Sequence, residues 1–528
     1  MRIIQLVPAK GAFTPGEIIR LVAEVAGEVL EPTVIQLSIY HLAQEIDTIK
    51  IVLTPENRAT NITFEWQAPL AAPCGYGVIA KLIDRSGQAI DSISSAFDVL
   101  TDWTTFPRYG FLTDFSPNRT DLQETVAALA QFHINGLQFY DWQYRHDQLL
   151  PPQPEYIDPL GRSLSLDTIR KFIDTAHKYG IAAMPYLAVY AASIEFWRAH
   201  PGWALYDAND QPITFESFLG LMDPSPDSPW SNHLLGQCRE VLRGLPFDGL
   251  HVDQYGDPKT GFNANGDLVD LPNAFVDFIQ KLKVSHPRAA VVFNAVGNWP
   301  IEELVTAPQD FVYIEIWPPD VYFRDVWRIV ANARASSGGK PVVIALYLSA
   351  SHPENVRLAD ALIFSLGGSR IELGEHVRLL ADPYFPKHQA LSPDLTNILR
   401  RYYDFLVRYG EFLGPTADLL ENVGVKAPPH VWVSIRSCPG WLVLSVINLS
   451  GLVDPRWDEE QSSPTPLTDI FLQGIVSQTI RQVWWASPDL PDISLFPLHW
   501  TKNHLTVSIT LPELDHWAII AFELETSE

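Results

Sequence analysis

The sequence has few cysteines, few cations and no long apolar run, and each shortage excludes a class of protein. Its three cysteines, Cys74, Cys238 and Cys438, are too few and too far apart for a disulfide framework, so they are expected to be buried thiols. With 37 lysines and arginines against 62 acidic residues, the net charge is −25, which repels phosphate groups. We therefore expect no nucleic-acid partner.

Signals for membranes and for export are also missing. No segment offers ~18 consecutive apolar residues, so the sequence predicts no membrane-spanning helix and no membrane partner. The first residues lack the apolar core of a secretory signal peptide, so the chain as written is expected to be cytoplasmic. An extracellular protein is the alternative if this sequence is a processed form.

The chain is long and rich in aromatic residues. At roughly 100 to 200 residues per domain, a chain of 528 residues is expected to hold about three domains. The 16 tryptophans, 18 tyrosines and 26 phenylalanines suit either a sugar-binding protein or one with large cores, and composition leaves both open.

The pattern along the chain changes twice. Residues 1–101 are short β-like segments between turns, which predicts a β-sandwich, and similar patterns in 411–528 predict a second, antiparallel sandwich. Between them, in 102–410, apolar runs alternate with helical segments, which predicts a parallel (β/α)8 TIM barrel. A doubly wound sheet is the alternative, although no GxGxxG motif follows the first strand. The eight runs are 109–115, 134–142, 181–190, 248–255, 290–297, 311–317, 341–349 and 369–374.

Polar and aromatic residues stand at the ends of these predicted strands, where a barrel carries its active site. The carboxylates of Asp141, Asp253, Glu315 and Glu372 are expected to converge on one mouth. We also expect substrate-binding side chains there, namely Tyr140, Tyr190, Asn294 and Trp317.

Asp253 and Glu315 are the pair with the strongest chemical pattern. Both lie inside apolar strand runs, where an unpaired charge is costly. Two facing carboxylates are what acetal hydrolysis needs, since one protonates the leaving oxygen while the other attacks the anomeric carbon or activates water. Glu315, close to Trp317, is the candidate acid. The alternative is that either carboxylate is structural and is held by backbone donors or by an arginine.

The segment after the second strand is the densest polar and aromatic cluster in the chain. Tyr140, Asp141, Tyr144 and His146 suit a sugar subsite, in which a ring forms a platform and polar groups bind hydroxyls. A strand end packed by its own aromatics is the alternative, and residue types alone leave both open. The histidines lack HExxH or cysteine-partner spacing, so we predict no metal site and no cofactor.

Four segments together resemble glycoside hydrolase family 66, the dextranases and cycloisomaltooligosaccharide glucanotransferases. The sharpest match is Asn135 to His146, which reads NGLQFYDWQYRH. The others agree in order and spacing: MPY at 184–186 with YAA at 190–192, FDGLHVDQYG at 247–256, and YIEIW at 313–317. The resemblance implies three domains, namely an immunoglobulin-like N-terminal domain, a (β/α)8 barrel and a C-terminal antiparallel sandwich.

The resemblance also implies a substrate and a mechanism. The substrate is an α-1,6-glucan such as dextran or isomaltooligosaccharides, cleaved internally by a retaining double displacement with Asp253 as nucleophile and Glu315 as acid/base. The resemblance further places Tyr140, Asp141, Tyr144 and His146 around the attacked glucose. The large carbohydrate-binding insertion of the cyclising members has no counterpart here, which favours hydrolysis. A cyclising glucanotransferase and a non-catalytic glucan-binding protein are the alternatives.

Overall fold

The N-terminal part of the protein consists of two antiparallel sheets. The computed structural model describes residues 1–29, 31–55, 60–71, 74–421 and 424–525. One sheet has the order β1-β2-β5 and the other β4-β3-β6-β7, and residues from both sheets share one hydrophobic core. The strands are β1 (Arg2–Pro8), β2 (Ile18–Ala26), β3 (Thr33–His41), β4 (Gln44–Leu53), β5 (Asn61–Gln67), β6 (Cys74–Ile83) and β7 (Ala89–Val99).

The middle of the chain alternates strands with helices. Its strands are β8 (Tyr109–Leu112), β9 (Gly136–Phe139), β10 (Glu155–Ile157), β11 (Ser163–Ser165), β12 (Ala182–Ala188), β13 (Ala191–Ser193), β14 (Thr214–Phe215), β15 (Leu219–Leu221), β16 (Gly249–Asp253), β17 (Gly261–Phe262), β18 (Leu268–Val269), β19 (Ala290–Val296), β20 (Val312–Glu315), β21 (Val342–Ala345), β22 (Gly368–Ile371), β23 (Leu373–Gly374) and β24 (Arg378–Leu379). Its helices are α1 (Leu122–Ala130), α2 (Leu166–Lys178), α3 (Ile194–Ala199), α4 (Pro229–Gly244), α5 (Leu271–Ser285), α6 (Ile301–Leu304), α7 (Phe323–Ser336), α8 (Pro353–Ser365), α9 (Pro393–Arg408) and α10 (Gly410–Leu413).

A ten-stranded, mostly parallel sheet forms the centre of this region. Its order is β22-β21-β20-β19-β16-β12-β9-β8-β23-β24. β22 is the first strand of that order and β23 is next to the last, yet only Glu372 separates them along the chain, so the sheet curls round on itself. The predicted parallel α/β centre is confirmed.

Local sequence explains why these elements form. Every residue of β12 is buried, as expected for a parallel strand covered on both faces. In α2, Ile169, Phe172, Ile173 and Ala176 follow the spacing of one helix face and are buried. The Ser165 side chain accepts a hydrogen bond from the Thr168 backbone and caps this helix.

The C-terminal part is again antiparallel β-structure. It has a six-stranded sheet of order β25-β26-β27-β33-β29-β30 and a three-stranded sheet of order β28-β32-β31 around a separate core. The strands are β25 (Asp418–Leu420), β26 (Val431–Cys438), β27 (Trp441–Asn448), β28 (Leu467–Ile475), β29 (Ile480–Ala486), β30 (Phe496–Pro497), β31 (Trp500–Asn503), β32 (Thr506–Leu514) and β33 (Trp517–Leu524).

The expected multidomain α/β architecture is thus present, while the domain boundaries stay a prediction. The ranges 1–101 and 411–528 include positions 30, 56–59, 72–73, 422–423 and 526–528, which lie outside the described residues. The proposed boundary after residue 410 falls inside α10. Within the part of the chain that the structure describes, no helix combines the length and the apolar character needed to cross a membrane.

Candidate active site

Three adjacent parallel strands bring Asp253, Asn294 and Glu315 to one edge of the curled sheet. β16 ends at Asp253 and β20 ends at Glu315, and β19, which carries Asn294, lies between them. The register pairs Val252 with Phe293, so the next residues, Asp253 and Asn294, are side by side. Because parallel strands end at the same edge of a sheet, residues far apart in the sequence meet here.

The Asn294 amide joins the two carboxylates. Its Nδ2 atom donates to Asp253 Oδ1 at 2.8 Å and to Glu315 Oε2 at 2.7 Å. Both oxygens contact the same nitrogen, so the distance between them is at most about 5.5 Å, the sum of the two nitrogen–oxygen distances of 2.8 Å and 2.7 Å. Asn294 and Glu315 are buried, whereas Asp253 keeps part of its surface open. A substrate therefore has access from the side of Asp253.

Further donors hold each carboxylate in place. On Glu315 Oε1, the Trp317 indole donates at 2.8 Å and the Tyr347 hydroxyl at 2.6 Å. The Tyr186 side chain and the Gln254 backbone hydrogen-bond to Asp253. No arginine or lysine neutralises either carboxylate among these contacts, so the pair differs from an ordinary buried ion pair.

Burial and mutual repulsion set the protonation of the pair. Burial, followed by the charge of Glu315, raises the pKa of Asp253 above its ordinary value. Burial also raises the pKa of Glu315, although the donors Tyr347, Asn294 and Trp317 act in the opposite direction. Two carboxyl groups that contact the same amide repel each other when both are charged, so ionisation of one disfavours ionisation of the other. The arrangement therefore favours one proton donor beside one carboxylate.

Several aromatic residues lie near the pair. Tyr140 stacks on Phe385 with ring centres 4.4 Å apart and contacts Tyr186 at 5.6 Å. Phe215 stacks on Tyr255 at 4.2 Å. Trp317, which is 37% exposed, contacts Tyr347. Such rings match the apolar faces of sugars, whose hydroxyls point outward around the ring.

Asp141 is a third carboxylate within electrostatic reach of this cluster. It has a left-handed backbone, with φ of 50°, and its carboxylate lies 3.8 Å from Arg162. Burial raises the pKa of Asp141 to about 7, and Arg162 opposes that rise. The charges of both Asp141 and Asp253 act on the Tyr186 hydroxyl, so Asp141 lies on the same side of the sheet as the pair.

For three other predicted binding residues, the structure shows their local surroundings and not a contact with the pair. Tyr190 is fully buried, and its hydroxyl accepts a hydrogen bond from the Tyr255 backbone at 2.9 Å, so it supports Tyr255. Tyr144 is half-buried and packs under Arg145. His146 is buried, and burial lowers its pKa to about 4, so its imidazole is neutral. Each of these roles in binding stays a prediction.

The structure does not bring Glu372 to the pair, which corrects its expected place at the mouth. Glu372 is fully buried and contacts Arg370 and, on α9, Tyr403. Ile371 belongs to the core inside the curled sheet, so Arg370 and Glu372 point to the opposite face because strand side chains alternate. That face meets the helices and holds a buried ion network with Asp360 of α8.

Several residues around the pair were not predicted from the sequence. Tyr186 lies inside the MPY segment, and Tyr347 lies two residues beyond Ala345, which pairs in register with Glu315. Both follow the rule of strand ends and were recognisable by it. Phe215 belongs to the short strand β14 and Phe385 lies between β24 and α9. Neither stands at the end of a predicted strand, so only the folded structure identifies them.

Known proteins resemble this chain along most of its length. A cycloisomaltooligosaccharide glucanotransferase from Niallia circulans is 23% identical over 98% of this chain and 72% of its own length. A dextranase from Streptococcus salivarius is 22% identical over 81% of this chain and 63% of its own length.

A solved structure and a family profile extend these similarities. The cycloisomaltooligosaccharide glucanotransferase of a Paenibacillus species, in complex with cycloisomaltoheptaose, has a TM-score of 0.90 at 21% identity, covering 98% of this chain and 99% of that one. At that identity the likeness establishes the fold. The profile of glycosyl hydrolase family 66 matches residues 8–521. Since this match spans nearly the whole chain, the protein belongs to glycosyl hydrolase family 66.

Proposed function

We propose that this protein hydrolyses internal α-1,6-glucosidic bonds of dextran or isomaltooligosaccharides with retention of configuration. The observation that carries the proposal is the pair Asp253 and Glu315 bridged by Asn294. Retaining glycosidases have carboxyl groups ≈ 5–5.5 Å apart, whereas inverting enzymes need ≈ 6.5–9.5 Å to admit a water. The bridge limits the nearer oxygens to about 5.5 Å, which favours the retaining geometry.

In the first step, a carboxylate oxygen of Asp253 attacks the anomeric carbon of the bound glucosyl unit. The bond from that carbon to O6 of the neighbouring sugar breaks, and Glu315 transfers its proton to O6. This leaves a β-glucosyl ester on Asp253. In the second step Glu315 removes a proton from water, which attacks the same carbon and displaces Asp253, so that the product regains the α configuration.

The single proton of the pair must lie on Glu315 when attack begins. Three donors on Glu315 favour its charged form in the free protein. A glycosidic oxygen placed against Glu315 accepts a hydrogen bond only from the protonated form, so substrate binding favours that form. Asp253 then carries the negative charge that attacks.

Transfer to a sugar hydroxyl instead of water gives the second candidate function, a cyclising glucanotransferase. The glucanotransferase relatives favour it. Length favours hydrolysis only in the comparison with the Niallia circulans enzyme, where the alignment spans 701 positions and this chain has 528 residues, so at least 173 of those positions belong to the relative alone. The resemblance places a carbohydrate-binding insertion in the cyclising members at such extra positions. The Paenibacillus glucanotransferase structure, by contrast, is covered over 99% of its chain.

We interpret the curled sheet as a closed (β/α)8 barrel, in which β22 and β23 form one interrupted eighth strand. The paired sheets on either side are interpreted as an immunoglobulin-like domain of residues 1–101 and a C-terminal sandwich of residues 411–528. These sandwiches would brace the barrel or extend its glucan-binding surface.

The test of substrate is release of reducing ends from dextran, with starch and cellulose in parallel. We expect release from dextran alone and linear products. Cyclic products in excess of linear ones would support the glucanotransferase. Sugar binding without turnover on any of the polymers would contradict both enzymatic functions and support a glucan-binding protein.

The test of the two roles uses an α-linked isomaltooligosaccharide with a nitrophenol leaving group, in the presence of azide. Asp253→Gly is expected to give the β-glycosyl azide, because azide then attacks in place of the nucleophile. Glu315→Ala is expected to give the α-azide, because azide opens the ester without needing a base. The opposite pair of products would reverse the roles.

A further inference from the structure

A second group of chemically reactive side chains lies outside the candidate active site, where the N-terminal sheets meet α10. It consists of His41 at the end of β3, Cys74 at the start of β6 and Glu411 in α10. One ring nitrogen, one sulfur and one carboxylate oxygen of these residues all lie within 4.8 Å of one another. The mechanism proposed above uses none of them.

Close packing of backbones creates this group. Strand β6 approaches the end of α9 so tightly that a Cβ atom on Gly75 would lie 2.2 Å from the Val407 carbonyl oxygen. Only glycine fits at that position. The approach places Cys74 against the helical turn that follows α9, where Glu411 accepts hydrogen bonds from the Gly75 backbone at 3.2 Å.

The three side chains converge on one oxygen atom. His41 Nε2 lies 2.8 Å and Cys74 Sγ 3.1 Å from Glu411 Oε1. His41 and Glu411 keep 38% and 20% of their side chains exposed, so an ion from solvent can reach them. The Tyr76 hydroxyl hydrogen-bonds to Cys74 and packs near the His41 ring, which orients both.

We propose that His41, Cys74 and Glu411 bind a divalent transition-metal ion, with Zn²⁺ as the best match, and that this ion links the N-terminal sheets to α10. The donor set of one imidazole, one thiolate and one carboxylate is of the kind that Zn²⁺ prefers. A thiolate and a carboxylate together balance the charge of the ion. Three protein ligands leave a fourth position for water.

The observed distances are compatible with this ion after a small adjustment. With metal–ligand bonds of roughly 2.0 to 2.3 Å, tetrahedral donor atoms lie about 3.3 to 3.8 Å apart. The nitrogen and sulfur must therefore each move away from the Glu411 oxygen by about half an ångström. On binding, the thiol releases its proton to solvent, and the ring carries its remaining proton on Nδ1, so affinity is expected to rise with pH.

The test uses the full chain, freed of metal with a chelator and titrated with Zn²⁺ and with Co²⁺. We expect one tightly bound equivalent of either ion and, with Co²⁺, a near-ultraviolet charge-transfer band from its bond to sulfur. Cys74→Ser should remove the band and weaken Zn²⁺ binding about 100-fold or more. Cys238→Ala and Cys438→Ser are matched controls that keep Cys74, and each should retain both.

Thermal unfolding gives a readout that does not depend on activity. Zn²⁺ should raise the unfolding temperature of the wild type and of both control variants but not that of Cys74→Ser. His41→Gln changes a partly exposed side chain and provides the same test if Cys74→Ser does not fold. The proposal is overturned if the wild type shows no stoichiometric binding, if the band survives in Cys74→Ser, or if it disappears only in Cys438→Ser.

Discussion

Two buried pairs of carboxylates belong to the same central region and differ in what joins them. Asp253 and Glu315 are joined by the neutral amide of Asn294, and Asp253 remains partly open to solvent. Asp360 and Glu372 are joined by Arg370 and are fully buried. Burial raises the pKa of all four carboxyl groups.

A carboxylate near a strand end is therefore not sufficient to form an active site. An arginine between two carboxylates favours their charged forms, and a sealed environment keeps substrate away. An amide leaves a proton shared by the two carboxyl groups free to move between them, and an open side leaves room for a substrate. Which face of the strand a residue occupies decides between these outcomes, because adjacent residues point to opposite sides.

The sharpest way to break this contrast is to remove one carboxylate from each pair. Asp253→Asn and Glu315→Gln are expected to lower kcat on isomaltooligosaccharides by at least about 1000-fold, because the amides neither attack carbon nor donate an acidic proton. Glu372→Gln should keep kcat per folded molecule. Rates on purified protein, with folded content measured by circular dichroism, are the test; a Glu372→Gln loss equal to that of Asp253→Asn would abolish the distinction.

Removing the cation of the sealed pair should affect stability instead. Arg370→Met leaves Asp360 and Glu372 buried without a partner, and breaking such a network costs about 3 to 5 kcal/mol. Folded-state pKa values raised above the unfolded ones mean that stability is lost as pH rises through them. The variant's unfolding free energy, from urea titration, should therefore fall further toward alkaline pH.

The control for that variant is Arg328→Met, which breaks an ion pair with Asp320 at the surface. Since the Arg328 side chain is 50% exposed, its loss should cost less than about 1 kcal/mol. Equal losses for the two arginine variants would show that the buried network adds nothing beyond a surface pair.

Much of the fold was predictable because its signals are local. The predicted strand at 181–190 contains β12 at Ala182–Ala188, and the predicted strand at 248–255 contains β16 at Gly249–Asp253. The structure also contains α9, Pro393–Arg408, which the sequence analysis did not propose. Its faces pack against β6 and β7 of the N-terminal sheets as well as against α8, so its burial depends on elements far away in the chain.

The candidate site also has residues that the sequence predicted and residues that it did not. Asp253, Asn294 and Glu315 were recognisable because strand order alone brings adjacent strand ends together. The placement of Glu372 was wrong because a one-residue difference in phase turns a strand side chain to the other face. Spacing motifs gave no sign of the group at His41, Cys74 and Glu411, since its members are separated by tens to hundreds of residues.

The amide bridge itself offers a smaller but more informative perturbation. Asn294 donates to both carboxylates and so favours their charged forms. Asn294→Ala should therefore raise both pKa values, move the bell-shaped pH profile of kcat/KM toward higher pH and lower its maximum by about 10- to 100-fold. The control is Tyr403→Phe, which removes a donor from Glu372 in the sealed pair and should leave the profile in place. A profile unchanged in Asn294→Ala would show that the bridge does not set the protonation of the pair.

The smallest expected effect distinguishes the proposed roles of Asp253 and Glu315. Tyr347→Phe removes one donor from Glu315 Oε1, while Trp317 keeps the same oxygen at 2.8 Å, so the loss in kcat/KM should be about five- to tenfold. The lost donor favoured the charged form, so Glu315 should hold its proton to higher pH. If Glu315 is the acid, the alkaline limb of the profile moves to higher pH and the acid limb stays at the same pH. Movement of the acid limb alone would mean that Glu315 must be charged to act, which would give it the role of nucleophile and Asp253 that of acid.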